Sequence, residues 1–137
     1  MGDAHFLMVE DSAPDVELAV IVHEACGVAL PMKVCRDGQE VMEYLASTPR
    51  DALPRFIVTD LKMSRMGGLQ MIESLRDQES TRHIPLIVFS SSSERRDVEA
   101  AYARGATAYC VKPFGFDAFS KALTTLIHFW GEYSEPR

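Results

Sequence analysis

At 137 residues, 47% of them hydrophobic and 25% charged, the chain has the length and composition of one globular domain rather than a disordered segment. Twenty acidic against fourteen basic residues give a net charge of −6, which speaks against a nucleic-acid groove or an anionic membrane surface as the main partner. No apolar run nears the ~18 residues of a membrane span, and the start MGDAHFLMVED lacks the basic region of a signal peptide. Cys26, Cys35 and Cys110 are too scattered for a disulfide framework or a zinc knuckle, which fits a reducing cytoplasm.

Five short apolar runs recur along the chain, at residues 6–9, 31–35, 56–58, 86–89 and 108–111. Each holds β-branched or aromatic residues and is bounded by Pro, Asp or Ser, as strands are. The first, third and fourth are apolar without a break, which predicts strands buried on both faces. Stretches of helical period lie after each. Residues 14–26 open on Pro14 and Asp15, good first-turn residues, and stop at Gly27. Residues 38–47 and 68–78 follow, and residues 94–104 start after a serine run able to cap and end at Gly105. In residues 116–130, Phe116, Phe119, Leu123, Leu126 and Trp130 form one apolar stripe. Strict alternation with short connections predicts a single α/β domain over 1–137, a doubly wound five-stranded parallel sheet with five helices. In such sheets ligands sit at the carboxyl ends of the strands, where strand order reverses.

Those ends carry chemistry. The first strand runs into Glu10 and Asp11, the third into Thr59 and Asp60, the fourth into Ser90, and the fifth into Lys112 and Pro113. Three carboxylates at one rim repel, by about 4 kcal/mol per pair at 4 Å and an effective dielectric of 20. They either raise a pKa or take up a cation. Hard oxygen ligands on one side suit Mg²⁺, which keeps several waters and takes one or two carboxylates plus a phosphate; Mn²⁺ is the expected substitute. Glu10 and Asp11 would hold the metal, and Asp60 would give it one oxygen and offer the other as a nucleophile. The aspartyl phosphate so formed has three oxygens to satisfy, by the metal, the Lys112 ammonium and the Ser90 hydroxyl. The Lys112-Pro113 step is a candidate cis bond that would aim the lysine inward.

These residues, with VEDS at 9–12, RDGQEVMEYL at 36–45, VTDLKM at 58–63, GGL at 67–69, PLIVFS at 85–90 and GATAYCVKPF at 105–114, resemble the receiver domain of bacterial two-component response regulators over essentially the whole chain. The thirty residues from Asp60 to Ser90 and twenty-two from Ser90 to Lys112 match the family's usual spacing. The resemblance implies the flavodoxin-like strand order 2-1-3-4-5. It implies Asp60 as phosphoacceptor, Glu10 and Asp11 as the Mg²⁺-binding pair, and the backbone carbonyl of Lys62 as a further metal ligand. It makes Ser90 and Tyr109 the switch residues and Lys112 the phosphoryl-binding lysine. It implies a sensor histidine kinase as phosphodonor and no turnover activity beyond the chain's own phosphorylation and dephosphorylation. Lys62 and Ser92 fall where receivers tune phosphate hydrolysis. Two positions depart from the pattern. Ser64 replaces a common proline and Gly67 a common Asp, and the Gly67-Gly68 pair suggests a flexible loop after Asp60.

No output domain is expected after Lys112, so output would come from protein contacts. The ending HFWGEYSEPR resembles single-domain regulators paired with bacterial phytochrome kinases. On the first helix Leu18, Ala19 and Val22 are expected to face the sheet, leaving Val16 and Val20 as a kinase-docking patch. Phe129 and Trp130, beside a charged fourth helix, are candidate anchors for a homodimer. The four histidines, His5, His23, His83 and His128, lack metal-ligand spacing. Among rival readings, a haloacid-dehalogenase-type phosphatase needs a second acid two residues past its nucleophile, where Lys62 stands. A flavodoxin-type carrier needs a phosphate-cradling loop where Glu10 and Asp11 stand. A pseudo-receiver that never takes phosphate is disfavoured by the intact set of five site residues.

Overall fold

The computed structural model describes residues 4–133. Five strands, β1 (Phe6–Val9), β2 (Met32–Cys35), β3 (Ile57–Thr59), β4 (Leu86–Ser90) and β5 (Ala108–Val111), alternate with five helices. The helices are α1 (Ala13–Ala25), α2 (Gly38–Ala46), α3 (Gly68–Asp77), α4 (Arg95–Arg104) and α5 (Phe116–His128). All strands pair in parallel in the order β2-β1-β3-β4-β5. Every residue of β1, β3 and β4 is buried, as their unbroken apolar runs require, while the edge strands β2 and β5 are only partly covered.

Alternation along the strands divides the core in two. Phe6, Met8, Phe56, Val58, Ile87 and Phe89 pack with α1 and α5 residues such as Ala19, Val22, Phe119 and Leu123. Leu7, Val9, Ile57, Leu86 and Val88 point the other way, onto Val41, Met71, Ile72, Leu75 and Ala101 of α2, α3 and α4. Strand order reverses between β1 and β3, so the crevice at their carboxyl ends is the expected binding position.

Local signals set the helix ends. Ser12 caps α1, its hydroxyl accepting from the Asp15 amide at 3.4 Å, and Gly27 follows the helix at φ +80°. Asp37 caps α2, accepting from the Glu40 amide at 2.9 Å. The serine run does not supply the cap residue of α4. That residue is Glu94, and Ser92 accepts from its amide at 3.3 Å instead. The fifth helix ends at His128 and passes into a π-helical turn, Phe129–Tyr133, in which Arg55 donates to the Gly131 carbonyl.

Three expectations are corrected. Val16 is buried, as are Ala19 and Val22, while Leu18 packs half-covered against the α1–α5 cluster as expected, Val20 is half-covered, and the large apolar side chain exposed on α1 is Ile21, at 51%. No peptide bond among the described residues is cis, so Lys112-Pro113 is trans. Continued ladder pairing directs Lys112 instead, through its amide to the Ser90 carbonyl at 2.7 Å. Finally, the Gly67-Gly68 pair serves close approach, not flexibility. A Cβ on Gly68 would collide with the Asp60 carbonyl oxygen, and the Gly68 amide donates to the Leu61 carbonyl at 2.8 Å.

Candidate functional site

Glu10, Asp60 and Lys112 meet at the carboxyl-end rim, carried there by β1, β3 and β5. Lys112 Nζ donates to Glu10 Oε1 at 2.5 Å, to Asp15 Oδ2 at 2.8 Å and to Asp60 Oδ2 at 3.3 Å. The remaining oxygens of Glu10 and Asp60 are aimed by backbone. Glu10 Oε2 accepts from the Ser12 amide at 3.1 Å, and Asp60 Oδ1 from the Leu61 amide at 2.7 Å. Asp11 lies more exposed beside them, with Oδ2 accepting from the Ser64 amide at 3.1 Å.

Burial sets the electrostatics. Glu10 is 1% exposed, and desolvation holds its pKa above the ordinary carboxylate value, helped by the Asp60 charge and only partly offset by Lys112. For Lys112 burial acts in the opposite direction and would lower the pKa. Hydrogen bonds to Asp15 and Glu10 and the Asp60 charge outweigh it, so the ammonium stays protonated well above its ordinary range. Glu10, Asp11, Asp15 and Asp60 set four negative charges against this one positive charge.

Ser90 is buried at the end of β4, and its hydroxyl accepts from the Ser92 amide at 3.2 Å. Tyr109 donates its hydroxyl to the Ser92 carbonyl at 2.8 Å, so the turn after Ser90 is held by both Ser90 and Tyr109. Ser92 in turn donates to Asp97 at 2.5 Å. A polar cleft of about 400 Å³ opens between Asp60, Lys62 and the 90–94 turn. Lys62 is exposed on its wall.

The turn after Asp60 is pinned at three points. Besides the Ser64 amide on Asp11, Arg65 Nε donates to Asp37 Oδ2 at 2.8 Å and the Gly38 amide to the Met66 carbonyl at 2.8 Å. The Arg65 guanidinium, then the Glu40 amide, holds the Asp37 carboxyl below its usual range. Neither this clamp nor the contact of Asp15 with Lys112 was anticipated from the sequence, where Asp15 reads as an ordinary first-turn acid. Trp130 is half-buried against the α1–α5 cluster, whereas Phe129 is 51% exposed.

The donor set is all oxygen and carries excess negative charge, which fits a hard dication. Among the described residues no three His, Cys, Asp or Glu side chains are grouped so that they could hold a metal ion by themselves.

The sequence pattern of the response regulator receiver domain matches residues 6–124. The chain belongs to that family. This receiver is 26% identical over 132 residues to the response regulator Rcp1 of Synechocystis sp., covering 92% of this chain and 88% of Rcp1. The crystal structure of Mn²⁺-bound Rcp1 superimposes on it with a TM-score of 0.87 at 23% identity, over 98% of this chain and 99% of that one. The bacteriophytochrome response regulator AtBRR is 33% identical, with a TM-score of 0.73 over 98% of this chain and 99% of AtBRR. RtBRR, another bacteriophytochrome response regulator, is also 33% identical, with a TM-score of 0.74 over 100% of this chain and 85% of RtBRR. The receiver fold expected from the motifs is thus the fold observed. No helix among the described residues is long and apolar enough to cross a membrane.

Proposed function

We propose that this receiver accepts a phosphoryl group on Asp60 from the phosphohistidine of a sensor histidine kinase. An Asp60 carboxylate oxygen forms the new O–P bond while the P–N bond to the histidine breaks, and the electron pair leaves with the imidazole nitrogen. Glu10, Asp11 and Asp60, with the Lys62 carbonyl, are the proposed Mg²⁺ ligands. The ion supplies charge neutralisation for the transferring group. Mn²⁺ would serve in its place, as the Mn²⁺-bound form of Rcp1 suggests. Lys112 and the Ser90 hydroxyl take the other phosphoryl oxygens.

The observation that carries this reading is the meeting of the Asp60 and Glu10 carboxylates on the Lys112 ammonium at the point where strand order reverses. The test is incubation with Mg²⁺ and acetyl phosphate, followed by intact mass. Wild type should gain one phosphoryl group, and Asp60→Asn none. Repeated turnover of an organophosphate would instead identify a phosphatase, and no uptake by wild type a pseudo-receiver.

The likeness to AtBRR and RtBRR supports a bacterial phytochrome as the kinase. Exposed Ile21 and half-buried Val20 on α1 are the proposed kinase-docking positions. Phosphorylation would act on Ser90 and Tyr109, which already share the turn at Ser92. The output would be an altered protein-contact surface, with Phe129 as an apolar contact in a homodimer. A cytoplasmic site of action follows from this reading, since its phosphodonor is intracellular.

A further inference from the structure

An ammonium has three N–H donors, and in this receiver all three of Lys112's are directed at carboxylates. A phosphoryl group arriving on Asp60 needs one of them, so a present partner has to yield. The three partners differ in what yielding costs. Glu10 is 1% exposed and fixed from behind by the Ser12 amide, so without Lys112 its charge would be stranded in the interior. Asp60 is the acceptor itself, and its bond to Lys112 is the longest of the three. The Asp15 side chain sits in the first turn of α1 with 30% of its surface exposed, so it returns to water at little cost. Asp15 is therefore the partner that can be displaced.

We propose that Asp15 is a positioning residue that competes with the incoming phosphoryl group for Lys112, and that it thereby restrains phosphorylation of Asp60. The role rests on Asp60 being the phosphoacceptor, as proposed above. With acetyl phosphate as donor, an Asp60 oxygen forms the O–P bond, the P–O bond to acetate breaks, and acetate leaves with the electron pair. No proton has to move. Asp15 touches none of these atoms. It acts only through Lys112.

The test compares initial rates of phosphoryl uptake at limiting acetyl phosphate and saturating Mg²⁺, read by intact mass. Asp15→Asn should take up phosphate about threefold faster or more, which corresponds to one charged hydrogen bond discounted for exposure. Asp15→Glu, which restores the competing charge, should return the rate toward wild type. Glu17→Gln, which removes an exposed charge from the same helix, should leave the rate unchanged. In a Lys112→Ala background the Asp15→Asn acceleration should vanish, an outcome that loosened packing alone would not produce. Uptake by wild type with no acceleration in Asp15→Asn overturns the role of Asp15 and leaves Asp60 as acceptor. Equal acceleration in Glu17→Gln or in the Lys112→Ala background also overturns it. If wild type takes up no phosphate, both proposals fall.

Discussion

At the carboxyl-end rim of the sheet, the buried Lys112 ammonium is shared among Glu10, Asp15 and Asp60. At the opposite rim, the Arg76 guanidinium at the end of α3 reaches several neutral groups. It donates to the carbonyls of Gly105 (2.8 Å), Arg82 (2.8 Å) and Ile84 (2.7 Å), and to the Thr107 hydroxyl (3.2 Å). Both are cations at strand ends, but they do different work. Arg76 satisfies backbone oxygens where the connections into β4 and β5 begin, which is a structural task. Lys112 holds together carboxylates that repel one another, an arrangement that leaves negative charge for a metal to neutralise. One rim minimises unmet polarity. The other, in the proposed function, keeps some of it for a reactant.

The sharpest way to break this contrast is a double dissociation. Asp60→Asn should abolish phosphoryl uptake completely while changing unfolding free energy by less than about 1 kcal/mol, since the substitution relieves a repulsion as it weakens a bond. Arg76→Ala should do the reverse. It leaves several carbonyls without their donor and should cost about 2–4 kcal/mol, with phosphoryl uptake by the folded fraction unchanged. Denaturant unfolding and intact mass on the same preparations check both arms. A large stability loss in Asp60→Asn, or slowed uptake in folded Arg76→Ala, would show that the rims are not separable in this way.

Legibility from sequence follows the same division. Period and punctuation gave the alternation of elements, because strands buried on both faces must be apolar throughout and connections this short force parallel pairing. Once strand ends are known, Glu10, Asp11, Asp60, Ser90 and Lys112 fall on one rim by topology alone. What was hidden depends on approach through space. Asp15 lies 97 residues from Lys112, and nothing local marks an N-terminal-turn acid as a lysine partner. The Asp37–Arg65 clamp spans 28 residues and joins a cap to a loop. Gly68 signals permissive backbone in a string of letters, whereas in space it marks a missing side chain where the Asp60 carbonyl passes. The burial of Val16 was also hidden, since a helix with apolar residues on several sides does not specify which of them end up covered.

A pH series sharpens the comparison next. Because burial raises Glu10 above its ordinary 4.5, the native state holds this proton over a range where the unfolded chain has lost it. Stability should therefore fall as pH rises from about 4.5 through the raised Glu10 value. Lys112 adds no slope there, since its own raised pKa loses stability only at pH values above the ordinary 10.5. Glu10→Gln should remove the fall, so that variant and wild type diverge with increasing pH in metal-free buffer. Added Mg²⁺ should stabilise wild type and narrow the gap. Parallel melting curves across this range would mean that Glu10 is not under electrostatic tension.

The smallest effect concerns the wall of the cleft rather than its floor. Lys62 is exposed beside Asp60 and the 90–94 turn, outside the network around Lys112, so it contributes little to the resting fold. Once a phosphoryl group is present, a flexible ammonium at this position can meet its outer oxygens and crowd the line along which water attacks. Lys62→Asn should then leave melting within about 0.5 kcal/mol of wild type. It should also shorten the phosphoprotein's half-life severalfold, about 1 kcal/mol in the hydrolysis barrier. The decay of the phosphorylated mass after removal of acetyl phosphate measures it. Because acetyl phosphate donors and kinase docking play no part in that decay, an unchanged half-life would assign Lys62 to the surface alone and leave control of hydrolysis to Ser92 on the facing wall, which Asp97 holds from behind the cleft lining.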